Sequence, residues 1–125
     1  MVTSIPRELQ SKDALKSFFE RLYGGKVLTA AELREMEVGV PAKTGKGDEY
    51  GLGVQIRHTD FGVTYGHGGW FPGYLSEMEY FPDYHVAIAM QINTDDFAKT
   101  KGTPHRYIVE LARTLFPQID KQVSN

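Results

Sequence analysis

His67-Gly68-Gly69-Trp70-Phe71-Pro72-Gly73 sits near the middle of this 125-residue chain, and four of its seven residues are Gly or Pro. The run ahead of it, Gly62-Val63-Thr64-Tyr65-Gly66, reads as a strand, as does the run after it, Tyr74-Leu75-Ser76-Glu77-Met78-Glu79-Tyr80-Phe81. The spacing therefore predicts a Gly-rich corner joining two antiparallel strands. A Gly-Gly pair removes two Cβ atoms, so a ligand or another strand can approach the backbone closely. One titratable ring and one indole beside that opening make a recognition edge. Residue chemistry alone explains His67 equally well as a loop histidine bonded to backbone.

Downstream, Tyr74, Ser76, Met78 and Tyr80 share one face of their strand, and Leu75, Glu77, Glu79 and Phe81 share the other. Two carboxylates on the outer face predict a half-exposed strand, such as a sheet edge. Pro82-Asp83-Tyr84 reads as a turn. In residues 85–93, Val86, Ile88, Met90 and Ile92 alternate with Ala87 and Ala89. Apolar character on both faces predicts a central strand whose alanine side lies under a helix. Upstream, residues 50–57 read as one strand with Leu52, Val54 and Ile56 on one face, and Thr59-Asp60-Phe61-Gly62 as the turn after it.

Helices flank these strands. Leu15, Phe18, Phe19 and Leu22 fall at i, i+3, i+4 and i+7, with Asp13 in the first turn and Gly24-Gly25 as the stop. Thr29-Ala30-Ala31-Glu32 is a capping box, flanked by Leu28 and Leu33, for a second helix ending near Met36. Thr103-Pro104 opens a last helix with the stripe Ile108, Leu111, Ala112 and Leu115, ended before Pro117. Residues 39–48 and 94–102 read as loops, and 118–125 as a loose tail. The predicted class is α+β: one domain over residues 1–125, an antiparallel sheet with N-terminal helices and a C-terminal helix packed on it.

Totals exclude several function classes. A net charge of −2 gives no electrostatic footprint for nucleic acid or an anionic membrane. No apolar run approaches the roughly 18 residues of a membrane-spanning helix. The absence of cysteine removes disulfide and thiolate chemistry and leaves the compartment unread. His58, His67, His85 and His105 do not pair at metal-ligand spacing, so no metal or other cofactor is implied. Asp48-Glu49 and Asp95-Asp96 read as solvated turn carboxylates. Lys43-Thr44-Gly45-Lys46-Gly47 lacks the spacing of a phosphate loop.

Tyr50-Gly51-Leu52-Gly53-Val54, Tyr65-Gly66-His67-Gly68-Gly69, Gly73, the strand ending at Phe81-Pro82 and the apolar run 86–93 occur in an ordered series. This series resembles the C-terminal part of the serine β-lactamase and penicillin-binding protein family. The likeness is greatest to the class C-like branch with its D-alanyl-D-alanine carboxypeptidase, D-aminopeptidase and esterase relatives. It covers residues 11–116. The family carries Lys-Thr-Gly, or a His-x-Gly variant, on a strand walling the active site; His67-Gly68-Gly69 stands at that place. The resemblance implies that Trp70 N–H supplies half of an oxyanion hole. It also implies that His67 hydrogen-bonds substrate or the general-base network, with a titratable ring in place of a fixed charge. Lys43-Thr44-Gly45 has the wrong downstream context and reads as a coincidence.

The departures are as informative. No serine has a lysine three residues later, and neither Asn93 nor Asn125 completes a Tyr-x-Asn or Ser-x-Asn motif. The nucleophile and its activating partners are therefore missing, and no catalytic residue is assigned. The resemblance implies the last third of a hydrolase acting on a small-molecule or peptide amide or ester, inert by itself. Lacking the family's covering elements, the chain is expected to self-associate or to pair with the missing N-terminal lobe. A second reading is a free-standing interaction module whose Trp70-Phe71 edge binds a peptide or a sister chain.

Overall fold

The computed structural model describes residues 12–123, with side chains described from residue 14 to residue 118 except residue 15. The elements are α1 (Lys12–Tyr23), α2 (Ala30–Met36), β1 (Val40–Pro41), β2 (Glu49–Tyr50), β3 (Gln55–Thr59), β4 (Gly62–Phe71), β5 (Tyr74–Phe81), β6 (Val86–Ile92), α3 (Phe97–Thr100) and α4 (Pro104–Val123). The six strands form one antiparallel meander in sequence order. Helices cover both faces, so the α+β class holds.

Residues facing each other across the ladders share a face of the sheet. Tyr80 pairs with Ala87, and Tyr23 of α1 stacks on Tyr80 at 4.9 Å and on Tyr65 at 5.4 Å. The alanine side of β6 thus does sit under a helix, which is α1. The opposite face holds the core, where Phe81, Ile108, Ala112 and Phe116 are each at most 1% exposed. Phe61 and Tyr84 complete it, meeting Phe116 at 5.1 Å edge-on and 4.0 Å stacked. On β6 the small Ala87 and Ala89 lie on the α1 side, while Val86, Ile88 and Met90 pack against the α4 core.

Both predicted caps form. Thr29 Oγ1 accepts from Glu32 N–H, and Glu32 Oε2 accepts from Thr29 N–H at 2.8 Å. Thr103 Oγ1 accepts from Arg106 N–H in the first turn of α4. The buried stripe of α4 runs Ile108, Ala112 and Phe116, a strict i+4 row. That row leaves Leu111 and Leu115 more than two-fifths exposed. The helix also continues through Pro117 rather than ending before it. The expected tail from 118 lies partly in this helix, and its side chains from 119 on lie outside the described residues.

Four strand readings are corrected. Residues 50–57 are not one strand: Gly51 N–H donates to Val54 O at 2.8 Å, Gly53 takes φ +71°, and the chain folds into the β2–β3 hairpin with Leu52 exposed. The Gly-rich stretch 66–69 is no corner but the middle of the ten-residue β4, whose turn is Pro72-Gly73. Residues 74–81 are not an edge: β5 pairs on both sides, and Glu77 and Glu79 are buried. β6, predicted central, is the last strand of the sheet among the described residues. The two predicted loops also hold short elements, β1 and α3.

Candidate functional site

β4 is a strand with two kinds of edge. Its first half pairs with β3 from Thr59↔Gly62 to Gln55↔Gly66, while its pairing with β5 continues to Phe71↔Tyr74. From His67 onward, the β3 side has no strand beside it among the described residues. Main-chain N–H groups alternate sides along an antiparallel strand. Gly68 N–H points to the β3 side, where it donates to Gln55 Oε1 at 3.2 Å. Trp70 N–H, two residues on, therefore points the same way, past the end of β3. The tip agrees: Pro72-Gly73, with Gly73 at φ +84°, closes a two-residue hairpin in which Phe71 and Tyr74 exchange ladder bonds.

The glycines have packing reasons. A Cβ at Gly66 would stand 1.9 Å from Met78 O, a close backbone approach that excludes any other residue. A Cβ at Gly68 would meet Glu77 Oε2 at 2.9 Å, and one at Gly69 would meet Ser76 Oγ at 2.3 Å. The Gly-Gly pair therefore makes room for side chains from β5 as well as for anything that approaches the edge.

His67 is exposed, and both ring nitrogens are engaged. Nδ1 lies 2.6 Å from Gly68 O, and Nε2 lies 2.8 Å from the Tyr50 hydroxyl. A carbonyl only accepts, so Nδ1 carries the hydrogen; in the neutral ring Nε2 then accepts from Tyr50 O–H. The imidazole is thus bonded to its own chain at both nitrogens.

Beside this edge lies a charged network that sequence reasoning missed. Arg57, 8% exposed, donates to Glu77 Oε1 at 3.0 Å, to Glu79 Oε1 and to Gln55 Oε1. His105 Nδ1 donates to Glu79 Oε1 from the first turn of α4, and Asp48 Oδ2 lies 3.9 Å from Arg57 Nε. Asp48 is accordingly half-buried, not a solvated turn carboxylate. Burial is the largest influence on the Glu77 carboxyl and pushes its pKa up; Arg57 pulls it back. A groove of about 590 Å³ runs from Gly69 and Trp70 across Arg57 and Glu77 to His105 and Phe97. The signal was there: Glu77 and Glu79 share a strand face with Leu75 and Phe81, and buried carboxylates need a cation. No group of three or more His, Cys, Asp or Glu suited to a metal ion occurs among the described residues.

Comparison with known proteins fits this architecture. The β-lactamase family model matches residues 11–113, and the chain belongs to that family. A D-stereospecific amidohydrolase from Streptomyces sp. is 28% identical over 66% of this chain and 25% of its own, with a TM-score of 0.60. An octameric penicillin-binding protein homologue from Pyrococcus abyssi is 24% identical over 82% of this chain and 23% of its own, with a TM-score of 0.63. A penicillin-binding protein from Bacillus halodurans aligns over 84% of this chain and 30% of its own at 17% identity, with a TM-score of 0.61. The chain spans about a quarter of the length of these relatives.

Proposed function

We propose that the open edge of β4 is one wall of the acyl-transfer cleft of a β-lactamase-related serine hydrolase. Trp70 N–H is one of the two donors to the developing oxyanion, and His67, Gly68 and Gly69 form the strand that presents it. The observation that carries this reading is the direction of Trp70 N–H, past the end of β3 beside two glycines. A preorganised donor aimed at developing charge is a large catalytic contribution, about 2.7–4 kcal/mol per donor in well-studied hydrolases.

The nucleophile and its activating groups then come from polypeptide carrying Ser-x-x-Lys and Tyr-x-Asn, and this chain alone is inert. Two features suit a docking lobe of that kind: β6 ends the sheet among the described residues, and Tyr107, Leu111 and Leu115 line an exposed stripe of α4. The substrate class is a small amide, ester or peptide. Assaying the purified chain with a chromogenic cephalosporin and a p-nitrophenyl ester tests this, with no turnover above buffer expected. Turnover that disappears in His67→Ala would overturn the inert assignment.

One observation favours the interaction-module reading: Trp70, Phe71 and Tyr74 at the hairpin tip are 64%, 71% and 59% exposed. An extended peptide could add to the β4 edge and cover them. The DNA upstream of Met1 discriminates, since reading-frame continuity into Ser-x-x-Lys favours the hydrolase.

A further inference from the structure

Gly68 presents both its N–H and its C=O to the side of β4 that β3 leaves uncovered, because the two groups of one residue share a side in an antiparallel strand. Both are already engaged by side chains of this chain, which crowd out an incoming strand. Gln55 Oε1 takes the N–H at 3.2 Å, and His67 Nδ1–H takes the C=O at 2.6 Å. The His67 ring can do this only in the Nδ1–H tautomer, which leaves Nε2 needing a donor, and Tyr50 O–H meets it at 2.8 Å. The two rings also meet edge to face, with centroids 5.8 Å apart at 81°. Tyr50 ends β2 in the lateral row Tyr50–Gln55–Gly66, one residue short of His67 and at the point where pairing of β4 with β3 stops.

We propose that Tyr50 is a positioning residue for His67, and that the pair, together with Gln55, stops the strand edge at Gly68. The first main-chain groups open to a ligand are then those of Trp70. An extended ligand is held to one register, with its acceptor at Trp70 N–H and no alternative pairing two residues earlier. Edge strands commonly slip or pair promiscuously when no side chain blocks them. This proposal rests on the acyl-cleft reading for its purpose but not for its geometry.

Long-range ¹H–¹⁵N correlation spectra of the purified 125-residue chain, recorded where histidines are neutral, read the tautomer directly. The His67 signal, assigned by its loss in His67→Gln, is expected to show a proton-bearing Nδ1 and a lone pair on Nε2. In Tyr50→Phe, which keeps the ring contact and loses the hydroxyl, the population is expected to move toward Nε2–H. A wild-type His67 in the Nε2–H form overturns the proposal, and so does a Tyr50→Phe spectrum identical to wild type. The wild-type spectrum decides even if the variant does not fold. These readouts involve no hydrolysis. Failure of the acyl-cleft reading leaves the tautomer untouched, and an Nε2–H tautomer leaves the direction of Trp70 N–H untouched.

Discussion

The two halves of β4 are made of similar residues and live in different surroundings. Gly62 to Gly66 pairs with β3 throughout and also with β5 at Tyr65 and Gly66, with Thr64 fully buried and Gly66 pressed against Met78 O. Among the described residues His67 to Phe71 pairs in a ladder only with β5, and His67, Gly69, Trp70 and Phe71 are exposed. Glycine serves both halves for different reasons: at 66 it admits a neighbouring backbone, while at 68 and 69 it admits side chains and leaves an edge approachable. Stability therefore resides in the first half and in the charged network beneath it. The second half leaves the main-chain edge at Trp70 open, where the proposed cleft would lie.

The largest expected effect falls on the supported side. Arg57→Met leaves Glu77 and Glu79 buried beside only His105, and Glu79 Oε2 already has no hydrogen-bond partner among the described residues. Removing one partner of a buried ion network costs about 3–5 kcal/mol, to be read as a lower urea midpoint. Adding Glu77→Gln and Glu79→Gln to Arg57→Met is expected to recover part of that loss. A change of less than about 0.5 kcal/mol in Arg57→Met would show that the network lies outside the folded core.

A pair of proline substitutions sharpens the contrast within the open half. Phe71→Pro removes an N–H that points to β5 and strands its acceptor, at a cost of about 1–3 kcal/mol. Trp70→Pro removes an N–H that points away from β5, so its cost is expected to be clearly smaller. Equal losses in thermal unfolding would contradict the alternation on which the site depends.

A smaller, pH-dependent effect comes from Glu77. Burial raises its native pKa above the unfolded value. Over the window between the two, the native state binds more protons than the unfolded state, so stability falls as pH rises through that window. The contribution is fully present below the unfolded pKa and is lost once pH passes the native one. The difference in Tm between wild type and Glu77→Gln, followed from acid to neutral pH, should change in that window and be level outside it.

Much of the fold was legible because helix caps and stops are local chemistry, even where the buried stripe differs, as at Phe18, Leu111 and Leu115. The Thr29 and Thr103 caps, the Gly24-Gly25 stop and the Ala87–Ala89 face were all readable as local patterns. The strands misled where long-range pairing overrides composition. Glu77 and Glu79 look like solvent-facing residues until Arg57, twenty residues earlier in sequence, arrives from β3 to neutralise them. β6 is apolar on both faces because α1 and α4 cover them, although among the described residues a strand, β5, pairs with it on one side only. At the site, His67, Gly68, Gly69 and Trp70 were found through a family pattern. Tyr50 was quoted only as part of a motif, since nothing in the spacing of residues 50 and 67 says that their side chains touch.

The direction of Trp70 N–H is the claim on which the proposed cleft stands, and amide hydrogen exchange on the intact chain reads it residue by residue. The account predicts that Gly69 and Phe71 show the protection of the β4–β5 ladder, while Trp70 between them exchanges far faster. Protection of Trp70 equal to that of its two neighbours would contradict it.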